Sequence, residues 1–535
     1  MDEMIGRQLS EVVMTPSGIG EWLVKRDRST PERIALVDAV DGRQLTFAEL
    51  NLRTDRLATG LRSLGVKQGD RVGILAQNCI EYVELLFGVA KLGAVLVPIN
   101  YRLSPREIAY VLSDSGASIL AHSVDFEALA SAALMDADFP AYVKTRISFA
   151  REQEVDPQYD RYEGLIAEQR PQGSLIEISS SETAMLMYTS GTTGLPKGAK
   201  LTHGNLEWNA INMASSGGGL LPGDVTVTAA PLFHIGGLGI FTLPLVYVGG
   251  TTIIQAAFDP KETLRLMSGN RGTVQFLVPA MWSALSQVAD FDSYDMSSLR
   301  YGLSGGAPCP LTVIEFFQEK GWDFVEGFGM TELSPCALIL EAKDVLTHAG
   351  SVGRPFLHVE ISVFDEDDKP VQTNVVGELV VRGPTVFDGY WGLPSDTAEA
   401  MRSGWFHSGD LARIDDEGFV TLVDRKKDMV ISGGENVYAT EVEQVLIRHP
   451  SVREVAVIGL PDARWGEVVT AVVVIESGHA IEPNELIEWS SDRIASFKRP
   501  RRVYFVDELP RNAVGKVLKR SLRTDLGGSD QAVMR

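Results

Sequence analysis

The chain has 535 residues, too many for one hydrophobic core, so two or more domains are expected. A hydrophobic content of 44% with 22% charged residues is that of an ordinary soluble globular protein. Lys+Arg 49 against Asp+Glu 71 leaves a net charge of −22, which argues against nucleic acid as a main partner and against a polybasic membrane anchor. The three cysteines, Cys79, Cys309 and Cys336, form no C-x-x-C and no His/Cys cluster. A disulfide framework or structural zinc site is therefore not expected, and a reducing cytosol fits. The start, Met1-Asp-Glu-Met-Ile-Gly-Arg7, lacks a basic-then-apolar signal pattern, so a cytoplasmic location is expected.

Between residue 30 and about residue 425, helical spacing alternates with short β-branched runs. Thr46 to Gly65 reads as a helix, Arg71–Leu75 as a strand, Glu81 to Gly93 as a helix and Ala94–Pro98 as extended chain. The apolar stretch Tyr82 to Ile99 is interrupted by Glu84 and Lys91 and carries Gly88 and Gly93. A buried helix and strand account for it better than a membrane span. Val225–Thr228, Thr251–Ile254, Thr273–Leu277 and Asp323–Glu326 continue the alternation. The pattern predicts an α/β class with largely parallel sheets layered by helices. After Arg382 the texture changes: Glu378–Arg382 and Gly418–Val423 look like hairpins of a small β unit. Beyond residue 426 a compact α+β module is expected, with helices at Ala439–His449 and Pro483–Phe497. Its strands are Val455–Leu460, Val468–Ile475 and Arg502–Val506. The expected domains are thus 1–425 and 426–535, with the polar Asp424–Asp428 segment as a hinge between them. The tail from Gly527 is expected to fray.

Tyr188-Thr-Ser-Gly-Thr-Thr-Gly-Leu-Pro-Lys-Gly198 follows an apolar run and reads as a strand entering a phosphate-holding loop. Gly191 and Gly194 let backbone N–H groups turn toward an anion; Thr189, Ser190, Thr192 and Thr193 add hydroxyl donors; Lys197 adds charge. The loop is not a Walker A motif, because Pro196 stands where glycine is required and Gly198 where Ser or Thr is required. His234, in Pro231-Leu-Phe-His-Ile-Gly-Gly-Leu-Gly239, reads as the lip of an apolar pocket, because the glycines that follow leave room for a ligand. Gly327-Phe-Gly-Met-Thr-Glu332 follows a strand and offers an open turn. There Phe328 can stack on a base, Thr331 can bond phosphate and Glu332 can bind Mg²⁺. Asp410, just after Gly409, and Arg425 suit the two hydroxyls of a ribose. Gly515 before Lys516 reads as a turn that delivers a lysine into a site, whereas Lys519 and Arg520 read as solvated surface.

Gly302-Leu-Ser-Gly-Gly306 satisfies the G-x-S-x-G nucleophile elbow, and Asp410 with His449 would complete a Ser304, Asp, His order. The prolines of Ala307-Pro-Cys-Pro310 fit a strand-to-helix elbow poorly, so a serine hydrolase is the distant alternative.

Taken together, these segments resemble the adenylate-forming acyl-CoA synthetases, a family that includes fatty acyl-CoA ligases, 4-coumarate-CoA ligases and luciferases. The matching blocks run in the family's order: Tyr188–Gly198, Pro231–Gly237, Tyr301–Pro308, Gly327–Glu332, Gly377–Pro384, Trp405–Asp410, Asp424–Glu443 and Pro510–Arg520. They span roughly residues 20–522. The resemblance implies a large N-terminal domain of two αβ-layered subdomains plus a β unit, and a small mobile C-terminal α+β domain. It also implies the reaction: a carboxylate attacks the α-phosphate of Mg-ATP to give an acyl-adenylate and pyrophosphate, and CoA then displaces AMP. In that scheme Glu332 holds Mg²⁺, Thr189 to Lys197 grip the β- and γ-phosphates, and Lys516 bridges carboxylate and α-phosphate. Gly305, Gly306, Ala307 and Phe328 line adenine, Gly327 and Gly329 belong to the nucleotide-binding set, and Asp410 and Arg425 hold the ribose. Lys427 matches the hinge about which the C-terminal domain rotates, bringing Ser432-Gly433-Gly434 to a channel for the pantetheine arm.

Family members that activate amino acids usually carry an aspartate next to the position of His234; here Ile235 and Gly236 follow. Leu333–Leu340 and Ala280-Met-Trp282 are uncharged, so an apolar tail is expected. Medium- or long-chain fatty acids come first and aryl or alicyclic acids second. A ligase that stops at acyl-AMP and loads a carrier protein shares every ATP motif. ATP, Mg²⁺ and CoA are the expected cofactors and co-substrates; a homodimer is left open.

Overall fold

The computed structural model describes residues 18–150, 160–167, 176–189, 195–216, 218–433, 435–462, 464–491, 493–511 and 517–527. The chain gathers into two compact units, Met1–Glu360 with Val381–Phe406, and Ile361–Val380 with His407–Arg535. The β segment before residue 425 therefore packs with the C-terminal module rather than with the bulk of the N-terminal region.

Among the described residues the first unit holds three sheets. The seven-stranded sheet has the spatial order Asp160–Arg161, Thr145–Phe149, Ile119–Ser123, Arg71–Leu75, Val95–Ile99, Thr183–Thr189, Lys197–Thr202. All its neighbours are parallel except the last pair, an antiparallel ribbon with Tyr188 opposite Gly198. A four-stranded sheet orders Val225–Thr228, Thr251–Ile254, Ile34–Asp38 and Gln44–Thr46, and a five-stranded one Val274–Leu277, Tyr301–Gly305, Asp323–Gly329, Cys336–Leu340 and Arg354–Pro355. Parallel neighbours require crossovers, and the helices between them supply these.

The sequence dictates the helix boundaries through caps. Thr46 and Glu49 close a capping box ahead of Phe47–Ser63. Ser104 and Glu107 do the same for Pro105–Ser115, which stops where Gly116 turns left-handed. The charges inside the apolar run are also resolved. The helix Ile80–Lys91 is buried throughout, yet Glu84, 0% exposed, pairs with Arg53 and accepts from the Tyr162 hydroxyl at 2.9 Å. Lys91 Nζ reaches Asp55 and Asn51, each at 2.6 Å. Buried charge is tolerated because each is paired and hydrogen-bonded.

In the second unit, Glu360–Phe364, Gly377–Arg382, Phe406–Ile414 and Val420–Arg425 form a four-stranded sheet. A further sheet orders Glu435–Val437, Val430–Ser432, Gly466–Ile475 and Val452–Asp462, with Arg502–Phe505 also pairing Gly466–Ile475. Its two long strands carry the mostly apolar runs Val455–Leu460 and Val468–Ile475, because both faces are covered. Val457, Val469, Ala471 and Val473 pack with Ala439, Val442 and Leu446 on one face. Ala456, Ile458, Val472 and Val474 pack with Leu509 and Leu522 on the other. The expected helix Pro483–Phe497 is shorter, ending at Trp489, with a single 3₁₀ turn at Ser496–Lys498. Lys519 is not solvated: its ammonium lies 2.7 Å from Glu443, a carboxyl that also accepts the Val457 N–H. No helix among the described residues is long and apolar enough to cross a membrane.

Candidate active site

In the first unit the candidate residues sit at strand ends, as loops require when a rigid sheet positions them. Thr189 ends one strand of the Thr183–Thr202 ribbon and Lys197 begins the other, paired in register. Ser190, Gly191, Thr192, Thr193 and Gly194 lie outside the described residues. Lys197 forms an ion pair with Asp396, and its ammonium stands 5.3 Å from the Tyr390 ring centroid.

Gly327 and Gly329 do not form an open turn. The strand Asp323–Gly329 runs through both, and the chain turns only at Thr331–Leu333. A side chain on Gly329 would stand 1.8 Å from the Pro335 carbonyl, so glycine there allows two backbones to meet. Phe328 is 9% exposed, which leaves its ring little surface for stacking on a base. Thr331 and Glu332 are half-buried. Glu332 Oε1 accepts the Tyr390 hydroxyl at 2.9 Å, and the Glu332 carbonyl accepts Phe387 N–H at 2.9 Å.

Gly305 ends the strand Tyr301–Gly305, and Gly306 and Ala307 follow it as exposed backbone. Gly306 turns at φ +88, a conformation that favours glycine. Ser304 is buried inside that strand, opposite Leu277 and Glu326. It is not on a strand-to-helix turn: the next helix begins at Leu311. Asp410 is committed to Arg425, and His449 Nδ1 accepts Ser451 N–H at 3.1 Å. The hydrolase alternative therefore loses its elbow.

Glu326 is a further residue of this region that the motifs do not mark; its signal in the sequence is a carboxylate flanked by Phe324, Val325 and Phe328 in the strand Asp323–Gly329. It accepts the Cys309 N–H at 3.2 Å, tying the Gly306–Pro310 turn to the neighbouring strand. Burial pushes its carboxyl up to about 7, and the same burial raises the facing Cys309 thiol. A raised carboxyl binds its proton more tightly in the folded chain. The stability this group contributes is thus full below the ordinary carboxylate range and is lost as pH rises through about 7. We expect Glu326→Gln to gain on the native chain in denaturant midpoint at about pH 8 more than at about pH 5; equal differences at both would contradict it.

His234 is held neutral: burial, aided by Arg102, lowers it to about 4. Its Nε2 is buried and has no hydrogen-bond partner among the described residues, the mark of a polar atom awaiting a ligand. The glycines after it do not, however, leave an open channel. A side chain on Gly237 would meet the Pro231 carbonyl at 2.3 Å and one on Gly239 Pro335 at 2.6 Å, while Gly236 faces Phe276 at 3.3 Å. Trp282 also leaves the pocket-lining set: it is fully buried, donates to the Leu303 carbonyl at 3.1 Å and packs on Phe317 and Phe324.

In the second unit Asp410 and Arg425 face each other across antiparallel strands, with Nε 2.8 Å from Oδ1. Asp410 is 5% exposed, so the pair is not a surface salt bridge. Lys426 and His407 both reach Glu378, at 3.0 and 3.1 Å. Lys427 lies exposed in the turn that follows Arg425, whose carbonyl accepts Asp428 and Met429 N–H. Gly433 packs under Trp465, where a side chain would approach the indole to 2.9 Å. Gly434 and Lys516 lie outside the described residues.

Among the described residues no group of three or more His, Cys, Asp or Glu is arranged to hold a metal ion. A hydroxyl and a carboxylate at Thr331 and Glu332 are hard oxygen donors that suit Mg²⁺ when most of its remaining ligands are water and substrate phosphate.

The AMP-binding enzyme family matches residues 23–391, and the AMP-binding enzyme C-terminal domain matches residues 441–516. A feruloyl-CoA synthase of an Amycolatopsis species is 42% identical over 96% of this chain and 100% of its own. A long-chain-fatty-acid–CoA ligase of Mycobacterium tuberculosis is 36% identical over 94% and 98%. The solved o-succinylbenzoate-CoA synthetase of Bacillus subtilis, in complex with its acyl-adenylate intermediate, superposes with a TM-score of 0.82. It is 33% identical over 94% of this chain and 98% of that one. The ordered motifs, the layered α/β sheets and these likenesses agree: the chain belongs to the AMP-binding enzyme family and is an AMP-forming acyl-CoA synthetase.

Proposed function

We propose that the protein joins an aromatic carboxylic acid of the phenylpropenoate type to CoA, by way of an acyl-adenylate. The observation that carries this preference is the close packing behind His234, where Phe276, Pro231 and Pro335 occupy the space the glycines vacate. A short, flat acid needs less depth than a long aliphatic chain. The 42% identity to a feruloyl-CoA synthase over its whole length supports the same choice. Fatty acids, placed first on sequence grounds, become the second reading, favoured by the long-chain relative.

The reaction sets anions against each other, so fixed cations and donors must oppose that repulsion. Lys197 and the Thr189–Gly194 loop bind the outer phosphates. Gly305, Gly306 and Ala307 present backbone to adenine, and Asp410 with Arg425 orients the ribose. Thr331 and Glu332 would hold Mg²⁺, which neutralises phosphate charge when bound. His234 offers the acid's polar end a neutral hydrogen-bonding atom; an imidazole kept uncharged in this way does not trap a carboxylate as an ion pair. Lys516 bridges carboxylate and α-phosphate during adenylation. Rotation about Lys427 as hinge would let Lys516 leave and Gly433-Gly434 approach for thioester formation. Thiol attack on an adenylate needs no side-chain nucleophile.

The test is pyrophosphate release across phenylpropenoic, benzoic, medium-chain and long-chain acids, with and without CoA. We expect kcat/KM for phenylpropenoates to exceed that for any fatty acid by about tenfold or more. A fatty acid as best substrate would reverse the order. Adenylate that accumulates with CoA present and is consumed only by a carrier protein would make this a carrier-loading enzyme.

A further inference from the structure

The segment Phe387–Thr397 lies outside the short sequence blocks named above, yet it touches both Lys197 and Glu332, the proposed ATP-handling residues of the first unit. It enters as an added edge against the Lys197–Thr202 strand. Asp388 N–H donates to the Lys200 carbonyl, Lys200 N–H to the Gly389 carbonyl, and Trp391 N–H to the Gly198 carbonyl at 2.7 Å. Tyr390 thereby pairs with Ala199. On its other side Phe387 N–H reaches the Glu332 carbonyl.

Tyr390 itself is over-determined. Its N–H donates to Thr397 Oγ1 at 2.9 Å, and that hydroxyl donates to the Leu393 carbonyl at 2.9 Å. Phe387 packs edge-on to its ring, centroids 4.8 Å apart. Gly389 sits at φ +105, and a side chain there would stand 2.5 Å from Thr397, so the turn is closed tightly. So held, the ring has two outlets. Its hydroxyl donates to Glu332 Oε1 at 2.9 Å, and its face lies 5.3 Å from the Lys197 ammonium, which is also paired to Asp396. A phenol hydroxyl is a donor at working pH.

We propose that Tyr390 is a positioning residue for Mg-ATP: its hydroxyl fixes the Glu332 carboxylate, and its ring sets the spacing between that carboxylate and Lys197. The partner of a metal-binding carboxylate restricts its rotation, so less freedom is lost when the ion arrives. The ring offers Lys197 a weak cation–π site, which a phosphate readily outcompetes. The proposal rests on the reading that Glu332 serves the metal.

The test compares Tyr390→Phe, which removes only the hydroxyl, with Glu332→Gln. Calorimetry would measure the Kd of ATP with Mg²⁺ and with EDTA, and thermal melting of the ligand-free chains would report folding. We expect Tyr390→Phe to melt like the native chain, to bind Mg-ATP about tenfold more weakly and to bind metal-free ATP unchanged. Equal weakening with and without Mg²⁺, or none in either, would overturn the proposal. If Glu332→Gln weakens Mg-ATP selectively and Tyr390→Phe does not, only the Tyr390 role fails. If Glu332→Gln has no Mg²⁺-specific effect, the metal reading fails and this proposal with it. A Tyr390→Leu variant that binds metal-free ATP no worse than Tyr390→Phe would remove the part assigned to the ring.

Discussion

Lys516→Ala will cut pyrophosphate release on the order of 10³-fold or more, while a supplied acyl-adenylate will still be converted to thioester at close to the native rate. The physical ground is charge. In adenylation two anions must come together, and a lysine between them removes repulsion at the moment the new P–O bond forms. In thioester formation the leaving group is AMP, which carries its charge away from the acyl carbon, and no cation is needed between nucleophile and electrophile. The measurement is each half-reaction separately, on the same preparation. Equal loss of both halves would show that Lys516 serves the fold or a shared binding step instead, and would remove the alternation of the C-terminal domain from the account.

Glu332→Gln is expected to lower adenylation by about a hundredfold, chiefly in kcat, with a smaller effect on the KM for the acid. Gln keeps the acceptor that the Tyr390 hydroxyl uses but removes the negative charge a divalent ion requires. The fold should survive, because the Phe387 N–H bond goes to the Glu332 backbone carbonyl and not to the side chain. Initial rates against Mg²⁺ at fixed ATP check this: the half-saturating Mg²⁺ concentration should rise in the variant. A drop in rate with unchanged Mg²⁺ dependence would assign Glu332 to something other than metal handling.

The two predictions draw on different kinds of knowledge. Lys516 is proposed from a contiguous signal: a glycine, then a lysine, in a block that occurs in order after seven others. The phosphate loop and Glu332 are proposed from similarly short blocks, and Asp410 and Arg425, proposed together for the ribose, stand opposite each other across two strands. Most secondary structure was legible for a related reason. Capping pairs such as Thr46 with Glu49 and Ser104 with Glu107 lie three residues apart, and the covered strands Val452–Asp462 and Gly466–Ile475 announce themselves by runs rich in Val and Ile.

An absent side chain is not by itself empty space. Gly237, Gly239, Gly329 and Gly433 are glycine because a carbonyl, a proline or an indole already occupies the place a side chain would take. A sequence shows the missing atom and not the neighbour that fills its place. Trp282 and Phe328 show a second limit: an aromatic beside a motif can face ligand or core, and only packing decides; Trp282 is fully buried and Phe328 9% exposed.

By itself the sequence determined the class of chemistry and the layered α/β fold, since both are written in local patterns and in the order of short blocks. Only the tertiary structure decided how those blocks are coupled. Tyr390 and Glu332 are 58 positions apart, and Lys197 and Asp396 199 apart. Pairings over such separations depend on sheet order and loop closure, which no periodicity encodes.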